Sequence, residues 1–384
     1  MILSRMEKST WIYLALSVLL VFVPFIVTGR SMQFIFIQIF IFAIFAMSYD
    51  ILLGYTGIIS FGHVMFFGIG AYSTAITLNH FDSTIVSLFL GIAIAIVLAG
   101  FVSFLVGALT LRLRSHFYAM LTLALSGLFL VTAEKWRSLT KGNDGFTFKL
   151  PEILRDSETL YWVCLLAMVL IFFGLRRLTK SPFGRVLMAI RENENRTESL
   201  GYKVFHYKVM ASVVSGMVAG FAGVLYALSL RYVNTSVFAV DLTIDVLLMT
   251  IIGGVGTLIG PIVGAGLVEF AHHWLSSLAN VHWIFERWII LYGIVYILVV
   301  IFFPLGIVGT IQAKLMKRRV PTPIHNRKLM PFRKGAEQGG SRNIKHRNVF
   351  TGKTDERPGN SGTSRTSIGG GRTEDGHQRK TDSR

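Results

Sequence analysis

A succession of long apolar runs constrains this chain more than any other feature. Runs of roughly 18 or more residues recur between Trp11 and Phe303, and at about 1.5 Å of rise per residue each is long enough to cross a hydrocarbon core as a helix. Backbone inside a bilayer finds no water, so it must satisfy its hydrogen bonds as helices or as a closed barrel. The runs are continuous rather than alternating, which excludes the barrel. Composition agrees, since 52% of the 384 residues are hydrophobic and only 15% are charged, against about 25% charged in a soluble domain. The expected fold is all-α, a polytopic transmembrane helical bundle. Its about ten membrane segments fall roughly at 11–28, 34–53, 63–80, 85–109, 117–134, 160–176, 208–230, 243–255, 258–271 and 284–303.

Charge sets the orientation. Arg112 and Arg114 lie in one short loop; Arg176, Arg177, Lys180, Arg185, Arg191, Arg196 and Lys203 lie in or beside a second polar segment; Lys314, Lys317, Arg318 and Arg319 follow the last run. The excess of Lys and Arg on the inner side places all three regions, and both termini, in the cytoplasm. The loop 135–159 breaks the rule, carrying Lys135, Arg137, Lys141, Lys149 and Arg155 outside beside Asp144, Glu152, Asp156 and Glu158. The first run follows Arg5 and Lys8, as a signal peptide would, but Val27-Thr28-Gly29 is a poor cleavage site. It reads as an uncleaved first span. The net charge of +17 is concentrated at the end, where residues 313–384 hold 18 basic and 6 acidic residues. That Gly-, Ser- and Thr-rich tail is expected to be disordered. It suits anionic lipid or nonspecific RNA, and no specific nucleic-acid partner is expected. The domain reading is a membrane domain at 1–312, with a cytoplasmic loop at 177–207, and a basic tail at 313–384.

Two segments are broken by glycine. The first is Gly54-Tyr55-Thr56-Gly57-Ile58-Ile59-Ser60-Phe61-Gly62-His63; the second is Gly253-Gly254-Val255-Gly256-Thr257-Leu258-Ile259-Gly260-Pro261. An unbroken span through the second would leave the tail outside. Splitting it gives two halves of about 13 residues, each too short to cross alone, so a re-entrant or broken pair is expected. Paired interruptions mark a solute path in many transporters, because unwound backbone offers its amides and carbonyls to a solute. Gly54, Tyr55, Thr56, Gly57, Ser60, Gly62 and His63, with Gly253, Gly254, Gly256, Gly260 and Pro261, are therefore candidate path residues. Close helix packing is the competing reading, since Gly260-x-x-x-Gly264 and Gly216-x-x-x-Gly220 are small-residue contact motifs. For His63, packing or capping is favoured over proton transfer. Asp50, Glu134, Asp241 and Asp245 sit near span ends and Glu269 deeper, a thin endowment for an ion-coupled carrier.

The island between two apolar runs, Ser181 to Gly201, is coded for a helix outside the bilayer. Ser181 is a good N-cap and Pro182 a good first residue. Phe183, Val186, Leu187 and Ile190 form one apolar stripe, with Arg185, Arg191 and Glu192 off it, and Gly201 is suited to a left-handed helix end. Such a helix either rests on the lipid interface or docks a soluble partner. No catalytic or metal site stands out. Cys164 is the single cysteine, and His272-His273 are adjacent rather than four apart. Gly352-Lys353-Thr354 imitates the end of a P-loop, but Arg347 stands where its first glycine belongs. Any ATP must be handled by another chain.

Several of these motifs, in order, resemble the permeases of branched-chain amino acid ABC transporters. Leu53 to Gly57, Ser60 to His63 and Phe66 to Tyr72 carry the resemblance first. Leu111-Arg112-Leu113-Arg114 leading to Leu121-Thr122-Leu123, and Thr140 to Gly145, carry it on. Ser181 to Tyr202 is similar to that family's cytoplasmic coupling loop, Ala189 to Glu194 being the most typical stretch, although Arg196-Thr197 and Ser199 depart from it. Ala219 to Ala227, Gly253 to Pro261 and Pro304 to Gly309 complete a match over roughly residues 35–310. The resemblance implies import of leucine, isoleucine or valine across the cytoplasmic (inner) membrane of a prokaryote, without a cofactor. It also implies two ATP-binding subunits, a second related permease subunit and an extracytoplasmic solute-binding protein as partners. Ser181, Pro182, Phe183, Gly184, Arg185, Leu187, Ile190, Arg191, Glu192 and Gly201 would couple to the ATPase, with the apolar stripe inserted into a groove on it. A related permease for urea or short amides shares much of the pattern, and an ion-coupled transporter is the remote alternative.

Overall fold

The computed structural model describes residues 29–112, 115–278, 290, 293–294, 296–297, 301–303 and 306–310. The segment 11–28 and the basic tail lie outside the described residues, as does most of 284–303. The principal helices are α1 (Arg30–Thr56), α2 (Val64–His80), α3 (Ile85–Thr110), α4 (Ser115–Lys135), α5 (Ser157–Lys180), α6 (Pro182–Glu192), α7 (Glu194–Ser199), α8 (Val204–Leu230), α9 (Val240–Gly253) and α10 (Ile259–Leu278). Among the described residues, five helical stretches are long and apolar enough to cross a membrane: Ser31–Thr56, Ile85–Thr110, Phe117–Lys135, Ser157–Lys180 and Val204–Leu230. Each overlaps an expected span.

The bundle is built around α1. Its apolar window is 89% buried, whereas that of α4 is 22% buried. α5, α8, α9 and α10 pack on α1, while α2, α3 and α8 form a second tight group. Small residues allow that closeness: a side chain at Gly70 would overlap the Gly220 carbonyl, and one at Gly223 the Phe67 carbonyl. Ser103 donates to the Ser212 carbonyl at 2.7 Å across the adjoining seam between α3 and α8. This is packing of the kind expected where lipid removes the hydrophobic drive between helices. The outward face of α3 exposes Phe89, Val97, Phe101, Leu105 and Leu109, a stripe at helical spacing suited to lipid or to another membrane chain.

The two ends of the bundle differ. At one end α6 and α7 fill the link between α5 and α8. At the other, α8 runs into a strand, β2 (Tyr232–Val233), which pairs antiparallel with β1 (Phe146–Thr147). Tyr232 donates to the Asp144 carbonyl at 2.8 Å and Thr235 to Asn143 Oδ1 at 2.6 Å, which ties the 140–148 loop to the chain after α8. α8, with 27 residues, is about 40 Å long. The polar island and the 135–159 loop therefore sit at opposite ends of the bundle, as their expected sidedness requires.

Three expectations about element limits are corrected. α1 continues through Gly54 to Thr56, so the first break begins only at Gly57, whose φ of 74° ends the helix. α10 has 20 residues, about 30 Å, rather than a half-length; only α9, with 14, is short. The island is two helices, not one, because Asn193 leaves helical backbone and its Oδ1 accepts from Arg196 N at 2.9 Å, capping α7. Gly201, with φ of 89°, follows α7 rather than α6.

Candidate functional site

The α6 helix forms as its sequence dictates. Ser181 Oγ accepts from Gly184 N at 3.4 Å and Pro182 is the first helical residue. A side chain at Gly184 would overlap the Thr179 carbonyl, so glycine lets α6 fold back tightly on α5. The apolar stripe faces this chain. Leu187 is 1% exposed and Ile190 3%, while Phe183 stacks on Tyr207 with ring centroids 5.7 Å apart. The stripe cannot also enter a groove on a partner; that expectation is corrected by the burial. The residues of α6 left exposed are Pro182, Arg185, Met188, Ala189, Arg191 and Glu192.

Arg191, in the last turn of α6, reaches inward. Its Nη1 donates to the Gly54 carbonyl. A side-chain carbon at Gly57 would come 3.3 Å from its Cγ, and one at Gly256 2.9 Å from its Nη1. One side chain of the island thus touches both glycine segments. Those segments also touch each other, since Gly54 lies against the backbone of Gly256. Asp50, fully buried in α1, accepts from Gly256 N at 2.7 Å through Oδ1 and from Leu258 N at 3.3 Å through Oδ2. The loop it holds takes positive φ at Gly254, Gly256 and Leu258. Left-handed leucine is strained, and surrounding contacts must enforce it. Thr257 Oγ1 then accepts from Gly260 N at 2.9 Å, starting α10 with Pro261 in its first turn.

Most of the candidate path residues pack rather than line space. Gly62 lies against the Thr122 carbonyl, and Gly253 and Gly260 against each other. Tyr55 and Ser60 are buried, and Thr56 donates to the Leu52 carbonyl at 2.6 Å. His63 is fully buried, with Nε2 3.0 Å from Ser48 Oγ and its ring stacked on Phe45. Packing is the reading its surroundings favour. Thr56 and Gly57 do face a cavity of about 430 Å³, shared with Arg112, Ile190, Arg191 and Lys208. Lys208 pairs there with Glu194 at 2.7 Å.

Sequence reasoning missed two groupings. Asp50 does lie within two turns of the end of α1, but it is also the clamp of the second glycine loop. Glu269 is not isolated, since it shares a cavity of about 390 Å³ with Asp245 and Gln38, at the end of the bundle away from α6. A buried glutamine inside the 34–53 run was the available signal, as polar residues at membrane depth are costly.

A family model described as "Branched-chain amino acid transport system / permease component" matches residues 31–303. The chain is 30% identical to the high-affinity branched-chain amino acid transport system permease protein LivM of Salmonella typhimurium, over 68% of this chain and 67% of that protein. It is 29% identical to the protein of the same description from Escherichia coli, again over 68% and 67%. A probable branched-chain amino acid transport permease protein LivM of Methanocaldococcus jannaschii is 28% identical over 58% of this chain and 75% of its own. No solved structure matches the chain.

Proposed function

This chain belongs to the family of branched-chain amino acid ABC transporter permeases, and from that premise we propose that it carries leucine, isoleucine and valine inward across the cytoplasmic membrane of a prokaryote. Two ATP-binding subunits power the step, a second related permease completes the membrane part, and an extracytoplasmic solute-binding protein delivers the solute. The island faces the cytoplasm, and the 135–159 loop faces outward. The outer surface of α6, at Arg185, Met188, Ala189 and Glu192, meets the ATPase, while the buried stripe ties α6 to this chain.

One observation carries the mechanism: Arg191 donates from α6 to Gly54 beside Gly256. A push on α6 therefore arrives where α1, α9 and α10 meet. Helix shifts of this kind switch packed interfaces between discrete arrangements. Moving the Gly54–Gly256 contact would switch which side the bundle opens to. Reconstituted with its partners in vesicles, the wild-type chain is expected to take up radiolabelled leucine only when ATP is hydrolysed, and to take up urea poorly. Leucine uptake that continues with an inactive ATPase, or a preference for urea, would overturn the proposal.

A further inference from the structure

A cavity of about 510 Å³, larger than the two already described, lies among α2, α3, α4 and the segment Thr235–Phe238. Its volume falls in the range of small-molecule sites. Its back is buried and includes Tyr72, Thr77 and Phe238; the Phe238 ring stacks on Tyr72 at a centroid distance of 5.6 Å and on Phe129 at 6.4 Å. Its mouth is formed by Leu98, Thr132 and Trp136, which are exposed. The cavity therefore opens sideways between α3 and α4, and Leu98 continues the outward stripe of α3 through Phe101 and Leu105. The gap exists because α4 is the least embedded of the five long apolar helices, its apolar window being 22% buried.

The chemistry of the wall selects its occupant. Not one lining side chain is charged, and Thr77, Thr132 and Thr140 already donate their hydroxyl protons to backbone carbonyls. An amino acid zwitterion would bury an ammonium and a carboxylate there without partners, at high cost. An alkyl chain meets no such cost. Charge appears only at the rim. Trp136 is 55% exposed, and the exposed Lys135 and Arg137 flank it at the outer end of α4, where Glu134 is half-buried. Tryptophan favours the headgroup level of a bilayer, and long cationic side chains reach from there to phosphate oxygens. Lys135 and Arg137 belong to the loop that breaks the inner-side excess of Lys and Arg, a departure that an anionic group on the outer side accounts for.

We propose that this cavity holds one acyl chain of an outer-leaflet phospholipid, with its phosphate against Lys135 and Arg137. The chain fills the space that α3 and α4 leave between them, and so sets how far α4 stands from α2 and α3. The inference goes beyond the transport reading: it needs the outward placement of the 135–159 loop but not the identity of the solute.

The test uses the full complex in vesicles that carry a trace of phosphatidylglycerol with a diazirine at the end of one acyl chain. After irradiation, mass spectrometry reads the label residue by residue. Label at Ile76 and Phe129, on the walls, is expected to exceed several-fold that at Phe101 and Leu105, on the open face of α3. Leu98→Trp, which fills the mouth, is expected to lower the wall label several-fold and leave that at Phe101 unchanged. A diacylglycerol probe with the same diazirine lacks the phosphate and is expected to label the walls less; the double variant Lys135→Gln, Arg137→Gln is expected to abolish that difference. Wall label no higher than that at Phe101 would overturn the proposal. So would equal wall label from the two probes in the wild-type chain, which removes the phosphate contact, or wall label that excess leucine displaces, which makes this a solute pocket. Wall label in the isolated permease but not in the full complex would assign the gap to the partner permease and overturn it too.

Discussion

Asp50 is a fully buried carboxylate that fixes a loop 206 residues away along the chain. It holds two backbone N–H groups, Gly256 and Leu258, in a loop with three left-handed residues. Asp50→Ala orphans both donors, at about 1–3 kcal/mol each. The purified chain should melt at a clearly lower temperature, while Asp50→Asn, which keeps one acceptor oxygen, should fall between Ala and wild type. Gly54 makes the same point through space rather than charge. Alanine there would overlap Asp50 Oδ1 and stand about 2.6 Å from Gly256 N, so Gly54→Ala should destabilise strongly. Gly127 and Gly174 have nothing within 4 Å of an added carbon, and alanine at either should be neutral or stabilising by up to about 1 kcal/mol. A thermal-shift series decides the matter: if Gly54→Ala melts with Gly127→Ala, the close contact between the glycine segments is not what holds the loop.

At the scale of elements, α6 separates into a face that folds the chain and a face open to a partner. Leu187→Asp would bury a charge in the bundle and should reduce the amount of inserted protein. Met188, 47% exposed, is the better probe. Cys164 is buried, so the native thiol background is low. Met188→Cys should react with a membrane-impermeant maleimide in inside-out vesicles but not in intact cells, and bound ATPase should shield it. Reaction in intact cells would reverse the orientation. The long helices were legible because apolar runs of span length leave few alternatives. The break at residues 254–258 was legible too, from glycine clustering and the need to bring the tail back inside. The extension of α1 through Gly54 was not, because glycine costs a helix only about 1 kcal/mol and a tertiary contact outweighs that. The stripe of α6 was read correctly as apolar, but periodicity says which face is buried and not which body buries it.

Across the whole molecule, α9 and α10 join the Asp50 clamp to the cavity lined by Asp245 and Glu269. α9 starts near the cavity, which Asp245 lines, and ends at Gly253; α10 starts at Ile259 beside the Asp50 clamp and carries Glu269 back to the cavity. Neither the clamp nor the cavity was visible in the sequence, because each draws on side chains from helices far apart in the chain. On the proposed mechanism, their linkage would make Arg191 the position through which α6 acts on the transport route. Arg191→Ala removes the donor to Gly54 but leaves Arg185, Met188 and Ala189 on the outer face of α6. ATPase binding should therefore persist while coupling fails. In vesicles containing the full complex, the number of ATP molecules hydrolysed per leucine imported should rise several-fold, with co-purification of the ATPase unchanged. Arg191→Lys retains a cationic donor on a shorter reach and should recover part of the coupling. A wild-type ratio in Arg191→Ala would show that the push on α6 reaches α9 and α10 by another route, whereas loss of the ATPase would show that the exposed part of Arg191 contributes to docking as well.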